Sequence, residues 1–421
     1  MVISTAYLRL LKFKKKMFSN HEYSLNDLEI RDLILNESLF LGDDPIRKHF
    51  ASFVQPASVD LPIENECYLV KDKILPYGRR IRDLIDSLVI MKVDLTSGAI
   101  LLKGQTYLAR CGTIKMPKHC RGSLSPKSSI GRVDIMVRGI FDGCGLYDSI
   151  RGGEEGDLWM EISPRSFNVR VFEKQTFSQM MLFASRIPLH IEENFNYSLL
   201  FNHNGKSIKP EMHHNGAIVL HLGLTKDDKE EKEDEEKKEE KEDCLRKRMK
   251  ENVDDIVGWE AIHTNDVVDL SKPNSHPAEQ FFRPIFSSQC KDKLNGHVGI
   301  DRITLEKDRF YILATKERIS IPTMFSAEMI PFSHHIGELR AHYAGFFDPG
   351  FGFGRSGEIK GTVGVLEVRP HETVTIFDGQ PICLIEYFKN TSKPSVVYGD
   401  AGNSYQSQRG AKLAKYFIQD N

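Results

Sequence analysis

The chain has little net charge, no long apolar run, no paired-cysteine motif and almost no tryptophan. Its 57 Lys and Arg against 59 Asp and Glu leave a net charge of -2. That balance argues against a dedicated nucleic-acid binder, which needs a cationic surplus to meet phosphates. No apolar stretch approaches the ~18 residues that a membrane-crossing helix requires. Seven cysteines, at 67, 111, 120, 144, 244, 290 and 383, fall at irregular spacing with no C-x-x-C pair. Free thiols in a reducing, cytoplasmic setting are therefore expected. The P-C-x-x-C half of a zinc-deaminase signature is missing. So are the G-x-x-x-x-G-K-[ST] phosphate loop and the G-x-S-x-G nucleophile elbow. The pairs His213-His214 and His334-His335 point to opposite faces of any strand and read as ordinary.

What is present is internal repetition. Leu158-Trp159-Met160-Glu161-Ile162 and Val365-Leu366-Glu367-Val368 are strand-like runs with a Glu inside, and a Pro follows three residues later, at Pro164 and Pro370. Each copy closes on a Gln-led apolar run, Gln175 to Phe183 and Gln380 to Phe388. A repeat of this length changes the fold question, and it suggests that neither copy holds a whole site.

Short alternating runs punctuated by turn residues cover most of the chain, the pattern of an antiparallel sandwich or barrel. In the first copy they are 88–93, 99–102, 107–111, 134–137, 158–162, 167–171 and 180–183. In the second they are 310–315, 318–321, 339–342, 362–368, 373–377 and 382–388. A short helix is predicted over Leu25–Leu35 with Asn26 as N-cap. Residues 1–20 read as an N-terminal extension, with Met17 as an alternative start. The first repeat is assigned to 21–225, with Ala217–Leu224 as one of its strands, and the second to 251–421. Between them Lys226–Asp243 is 18 consecutive charged residues, 6 Lys and 12 acids. It cannot bury a core and reads as a solvated insertion over 226–250. Without it the rest of the chain carries +4, compatible with an anionic small ligand.

Several motifs admit a chemical and a structural reading. Lys127-Ser128-Ser129-Ile130-Gly131-Arg132 sets two cations and two hydroxyls within six residues, a set suited to phosphate oxygens. A polar turn is the alternative. Asp348, in Phe347-Asp348-Pro349-Gly350, either caps that turn or accepts from a ligand hydroxyl. Glu161 and Glu367 either face solvent or, if buried beside a ligand, gain the raised pKa of a general acid–base. The tail from Tyr398 to Lys412 is either a frayed end or a lid.

Taken together, Gln55-Pro-Ala-Ser-Val-Asp-Leu61, Pro126 to Arg132, Glu161 to Pro164, Glu338 to Phe351, Val365 to Arg369 and Tyr405-Gln-Ser-Gln408 resemble the long, two-repeat bacterial dCTP deaminases of the dUTPase-like superfamily. The resemblance spans about residue 25 to Phe417, interrupted by the charged run. It implies a mainly β chain of two tandem distorted β-barrel (jelly-roll) repeats with short helices. It implies zinc-free hydrolytic deamination of dCTP to dUTP and ammonia by a Glu acid–base, with Mg2+ carried by the triphosphate and no metal ligand from the protein. Carried across, Glu367 is the catalytic carboxyl, with Glu161 its counterpart in the first copy. Ser128 and Arg132 would hold water and polarise the base. Lys127 and Ser129 would meet phosphate, and Asp348 would accept the 3′-hydroxyl, with Ala344 a further substrate-binding position. Tyr405, Gln408 and Lys412 match a covering tail. The copies are damaged in complementary ways: the first lacks A-G-x-x-D-P-G, the second lacks K-S-S-x-G-R. One composite site per chain equivalent follows as an expectation. The family's sites form between subunits, so a homo-oligomer, such as a trimer, is implied, with no nucleic-acid or membrane partner. A dUTP pyrophosphatase, a bifunctional dCTP deaminase/dUTPase and a non-enzymatic nucleotide-binding protein are the alternatives.

Overall fold

In a computed structural model, the structure describes residues 23–36, 39–184, 188–189, 196–225, 255–291, 293–294, 297–298, 300–331, 345–400, 405–408 and 410–418. The charged run, the N-terminal extension, the strand expected at 339–342 and Ala344 lie outside them.

Strands dominate, with only short helices between them. In the first half, Val89–Val93, Cys67–Val70, Thr106–Lys115, Glu155–Pro164 and Ile135–Phe141 form one sheet in that order, and Ser58–Pro62, Thr176–Phe183, Arg121–Pro126 and Ser149–Ile150 form another. The strand Glu155–Pro164 is sandwiched between two others, and its last seven residues are all buried. A strand buried on both faces needs no polar alternation, which is why Leu158–Ile162 is apolar apart from Glu161. In the second half Thr362–Val368 is buried along its whole length beside Tyr311–Ile319.

The repetition is visible atom by atom. Leu102 N–H donates to the Tyr107 hydroxyl, and Glu306 N–H to the Tyr311 hydroxyl, both at 2.9 Å. Gly104 N–H donates to Pro164 O at 2.8 Å, and Asp308 N–H to Pro370 O at 2.9 Å. The repeated glutamines tie off equivalent turns: Gln175 Oε1 accepts from Phe172 N–H at 2.9 Å, and Gln380 Oε1 from Phe377 N–H at 3.1 Å. The residue before each Gln, Lys174 or Gly379, has a left-handed backbone, φ 68° and 71°.

The predicted helix spans Asp27–Asn36. Asn26 Oδ1 caps the amides of Leu28 and Glu29 at 3.0 and 3.1 Å, and Glu29 Oε2 returns a bond to Asn26 N–H at 3.1 Å, a reciprocal cap. A second helix, Asp44–Ala51, is capped by Asp43 and lies outside the elements expected from the sequence.

The boundary drawn at 225 does not match the pairing. Leu200–Phe201 pairs with Ile319 and Arg318, and Ile218–His221 pairs with Pro381–Lys389, both strands of the second half. Leu199, Leu200, Ile218, Leu220, Leu222 and Leu224 bury themselves in that half's core. The exchange runs both ways: Phe281 and Phe282 pack on Phe167, and Phe417 packs on both of them, in the first core. Apolar burial thus ties the repeats into one body.

Candidate active site

The two incomplete copies meet inside one chain. Pro126 ends a strand and Ser128–Gly131 makes one helical turn, with Arg132 as its C-cap. Glu367 approaches from the strand Thr362–Val368 of the second repeat. Ser128, Arg132, Glu367, Tyr405 and Gln408 line one cavity, whose apolar wall includes Met329, Phe346 and Phe351.

Arg132 and Glu367 form its centre. Both are about 95% buried, and Arg132 Nε lies 3.7 Å from Glu367 Oε1. That separation is too long for a direct hydrogen bond and short enough for one water to bond both atoms. Arg132 Nη1 donates to Gln408 Oε1 at 3.2 Å and to the Lys412 carbonyl at 2.7 Å. Its guanidinium carbon sits 3.8 Å from the centroid of the Tyr405 ring, a cation–π stack. Burial pushes the Glu367 carboxyl up to about 7, with Arg132 pulling the other way. A carboxyl poised near neutrality can both take and return a proton.

That raised pKa carries a stability cost. Between its unfolded value near 4.5 and about 7, folded Glu367 holds a proton that the unfolded chain has released. Stability from this group is therefore present below pH 4.5 and is lost as pH rises through 7. Glu367→Gln is expected to gain on the order of 3 kcal/mol relative to the parent between pH 5 and pH 8. Denaturant melts at the two pH values measure this, and equal differences at both would contradict it.

A second group lies where the repeats abut. Asp348 Oδ1 accepts from Ala57 N–H at 3.2 Å. Burial raises its carboxyl to about 7, and the neighbouring Asp60 carboxylate adds to the rise. Lys127 is ion-paired to Asp60 and donates to Thr176 Oγ1 at 2.9 Å. Lys415 shares this neighbourhood; burial lowers its pKa, and Lys127 lowers it further. Asp60 and Lys415 were not singled out in the sequence. Asp60 stood inside a flagged motif, Gln55–Leu61, but nothing there signalled its pairing with Lys127.

Other expected residues are used differently. Ser129 is 6% exposed and hydrogen-bonds the Tyr416 hydroxyl, so it is spent on the tail. Lys412 contributes its carbonyl to Arg132, while burial and then Arg132 lower its ammonium pKa. The described tail residues are tied down by hydrogen bonds: Tyr405 accepts from Lys415 N–H at 3.3 Å, Gln408 Nε2 donates to Val363 O at 2.8 Å, and Trp259 Nε1 donates to Ala411 O at 2.6 Å. Glu161 is not among the residues lining the cavity. It is buried in its own cluster, where Oε2 accepts from Ile74 N–H at 2.9 Å and Oε1 lies 4.0 Å from Lys73 Nζ. The Tyr147 hydroxyl donates to the carbonyl of the same Ile74. A peptide of the chain itself thus fills the position facing Glu161. Among the described residues no cluster of three or more His, Cys, Asp or Glu could hold a metal ion.

Residues 25–186 match the family model described as the 2'-deoxycytidine 5'-triphosphate deaminase N-terminal domain, and residues 224–417 match that of the C-terminal domain. Among solved structures, the chain is similar to the crystal structure of 2'-deoxycytidine 5'-triphosphate deaminase from Agrobacterium tumefaciens. The two share 29% identity with a TM-score of 0.72, over 90% of this chain and 99% of that one. No curated protein matches.

Proposed function

We propose, for a chain that belongs to the two-domain dCTP deaminase family and deaminates dCTP to dUTP, that one composite site per chain performs the reaction, with Glu367 as its only acid–base. The observation that carries this reading is the meeting of Arg132 and Glu367, from different repeats, at 3.7 Å in one cavity.

Glu367 as carboxylate takes a proton from a water held with Arg132 and Ser128. The resulting hydroxide attacks C4 of cytosine, and the protonated carboxyl passes its proton to N3. The remaining hydroxyl proton then moves through Glu367 to the amino group, the C4–N bond breaks, and ammonia leaves. One dCTP and one water give one dUTP and one ammonia. Arg132 keeps its charge throughout and stabilises the carboxylate whenever it forms. Asp348 accepts the 3′-hydroxyl. The Met329, Phe346 and Phe351 wall excludes water from the base.

Magnesium carried by the triphosphate would supply neutralisation of its charge. The residues present fit this. Lys127 with its neighbour Lys415, and Lys412 beside Arg132, would supply cations to the triphosphate, and Asp60 Oδ1 is buried without a hydrogen-bond partner. Each repeat is assigned a distorted jelly-roll barrel. The first repeat supplies the 127–132 segment and the second supplies Glu367, Asp348 and the tail, so the two play the parts of neighbouring subunits. Further association into a cytoplasmic homo-oligomer, such as a trimer, is part of the same reading.

Incubation with dCTP and Mg2+, with nucleotides separated and ammonia assayed, tests it. Equimolar dUTP and ammonia are expected. Conversion to dUMP and pyrophosphate would favour the bifunctional alternative, and dCTP binding without turnover would contradict the mechanism.

A further inference from the structure

The pair at the centre of the site must be held at a fixed separation although its members sit on different repeats. Two residues beyond each of them lies a second pair, Asp134 after Arg132 and Arg369 after Glu367. We propose that this Asp134–Arg369 pair is a clamp between the repeats that sets the Arg132–Glu367 distance, making both members positioning residues for the deamination step.

The observations converge on this pair. Arg369 Nη2 is hydrogen-bonded to Asp134 Oδ2, and the side chains are only 13% and 1% exposed. Ser166 closes a triangle, donating to Asp134 Oδ2 at 2.6 Å and accepting from Arg369 Nη2 at 2.8 Å. Each end is anchored in its own repeat. Asp134 N–H donates to Gly131 O at 2.8 Å, and its carbonyl accepts from Arg165 N–H at 3.0 Å. Asp134 holds a left-handed backbone, φ 57°, which costs free energy for a side-chain-bearing residue. That conformation turns the chain directly after Arg132. On the other side, Arg369 Nη1 donates to the Asp308 carbonyl, and Asp308 N–H donates to Pro370 O at 2.9 Å. Glu367 and Arg369 are two apart on extended backbone, so their side chains leave the same face. A planar, always charged guanidinium can grip carboxylate, hydroxyl and carbonyl at once, which an ammonium cannot do in that geometry.

The first repeat offers a contrast. At the place equivalent to Arg369 by the spacing from Glu161 stands Ser163, whose hydroxyl lies 3.1 Å from Thr106 Oγ1 within its own repeat. The cross-repeat grip therefore accompanies the Glu that shares a cavity with Arg132 and is missing from the one that does not.

This inference rests on Glu367 being the acid–base. The test is steady-state kinetics of full-length Arg369→Met and Arg369→Lys with dCTP and Mg2+, across pH and beside Glu367→Gln. A shift of about an ångström between reacting groups lowers rates by up to about a hundredfold. Arg369→Met is expected to lose about tenfold to a hundredfold in kcat with KM for dCTP within about twofold. The acidic limb of its kcat/KM profile should move upward, because Arg132 no longer holds station beside the carboxylate. Arg369→Lys should recover part of the rate. A folded Arg369→Met with parental kcat and parental acidic limb, changed only in Tm, would overturn the clamp. If Arg369→Met does not fold, Arg369→Lys decides alone: lowered kcat at parental KM supports the proposal, and parental kinetics overturn it. Near-parental turnover in Glu367→Gln would instead overturn the acid–base assignment beneath it.

Discussion

Glu367→Gln is expected to lower kcat by about 10²–10⁴-fold, the range that a positioned acid–base supplies, while Glu161→Gln stays within about twofold of the parent. The two carboxylates occupy equivalent places, Glu161 opposite Leu108 and Glu367 opposite Ile312 in matching strand pairs. Both are buried, and burial raises both carboxyls. What separates them is what they face. Glu367 faces a cavity with Arg132 beside it. Glu161 faces the Ile74 peptide, whose N–H it accepts. A Gln at 161 keeps an acceptor oxygen for that N–H, so the fold should tolerate it. A Gln at 367 cannot take a proton from water. Single-turnover rates with dCTP separate the cases, and a dead Glu161→Gln with an active Glu367→Gln would reverse the assignment of the halves.

Arg132→Met is expected to cost about 10²–10³-fold in kcat at pH 7, with part of the loss recovered at pH 9. Two contributions add. Preorganised charge beside a developing charge is worth a few kcal/mol in a dry site. In addition, Arg132 is the group that holds the Glu367 pKa down against burial. Without it the carboxyl protonates at higher pH, and less of it is available as base at neutrality. A pH profile whose acidic limb moves upward would separate this second contribution from lost contacts to Gln408 and Lys412. A profile merely scaled down at all pH values would contradict it.

Much of this arrangement was legible in the sequence because repetition and burial leave strong marks. The Glu-containing runs, the prolines behind them and the glutamines ahead of the last strands all hold equivalent hydrogen bonds in the two halves. Complementary damage to the copies points to a shared site, and the structure brings Arg132 and Glu367 together in one cavity. Boundaries were harder to read. The runs at 310–315 and 318–321 are one strand, Tyr311–Ile319, with a bulge between Ala314 and Arg318. There the Thr315 hydroxyl takes a bond from Gly364 N–H at 2.8 Å that the ladder would otherwise supply. The strand expected over Ala217–Leu224 belongs with the second half, because apolar alternation records burial and not the partner. Asp60 and Lys415 are illegible in the sequence for a related reason. Their significance lies in what they meet, Lys127 and the edge of the other repeat, and those contacts span tens to hundreds of residues. The bond between Ser129 and the Tyr416 hydroxyl is equally illegible, because a hydroxyl beside a lysine suits phosphate as well as it suits a tyrosine.

The most direct test of a single composite site is the number of nucleotides bound per chain. Calorimetric titration of the full-length Glu367→Gln protein with dCTP and Mg2+ counts sites without turnover. One dCTP per chain is predicted, because the place facing Glu161 is filled by the Ile74 peptide. Two per chain, with the second lost on Glu161 substitution, would show that each repeat keeps a site of its own and would contradict the account.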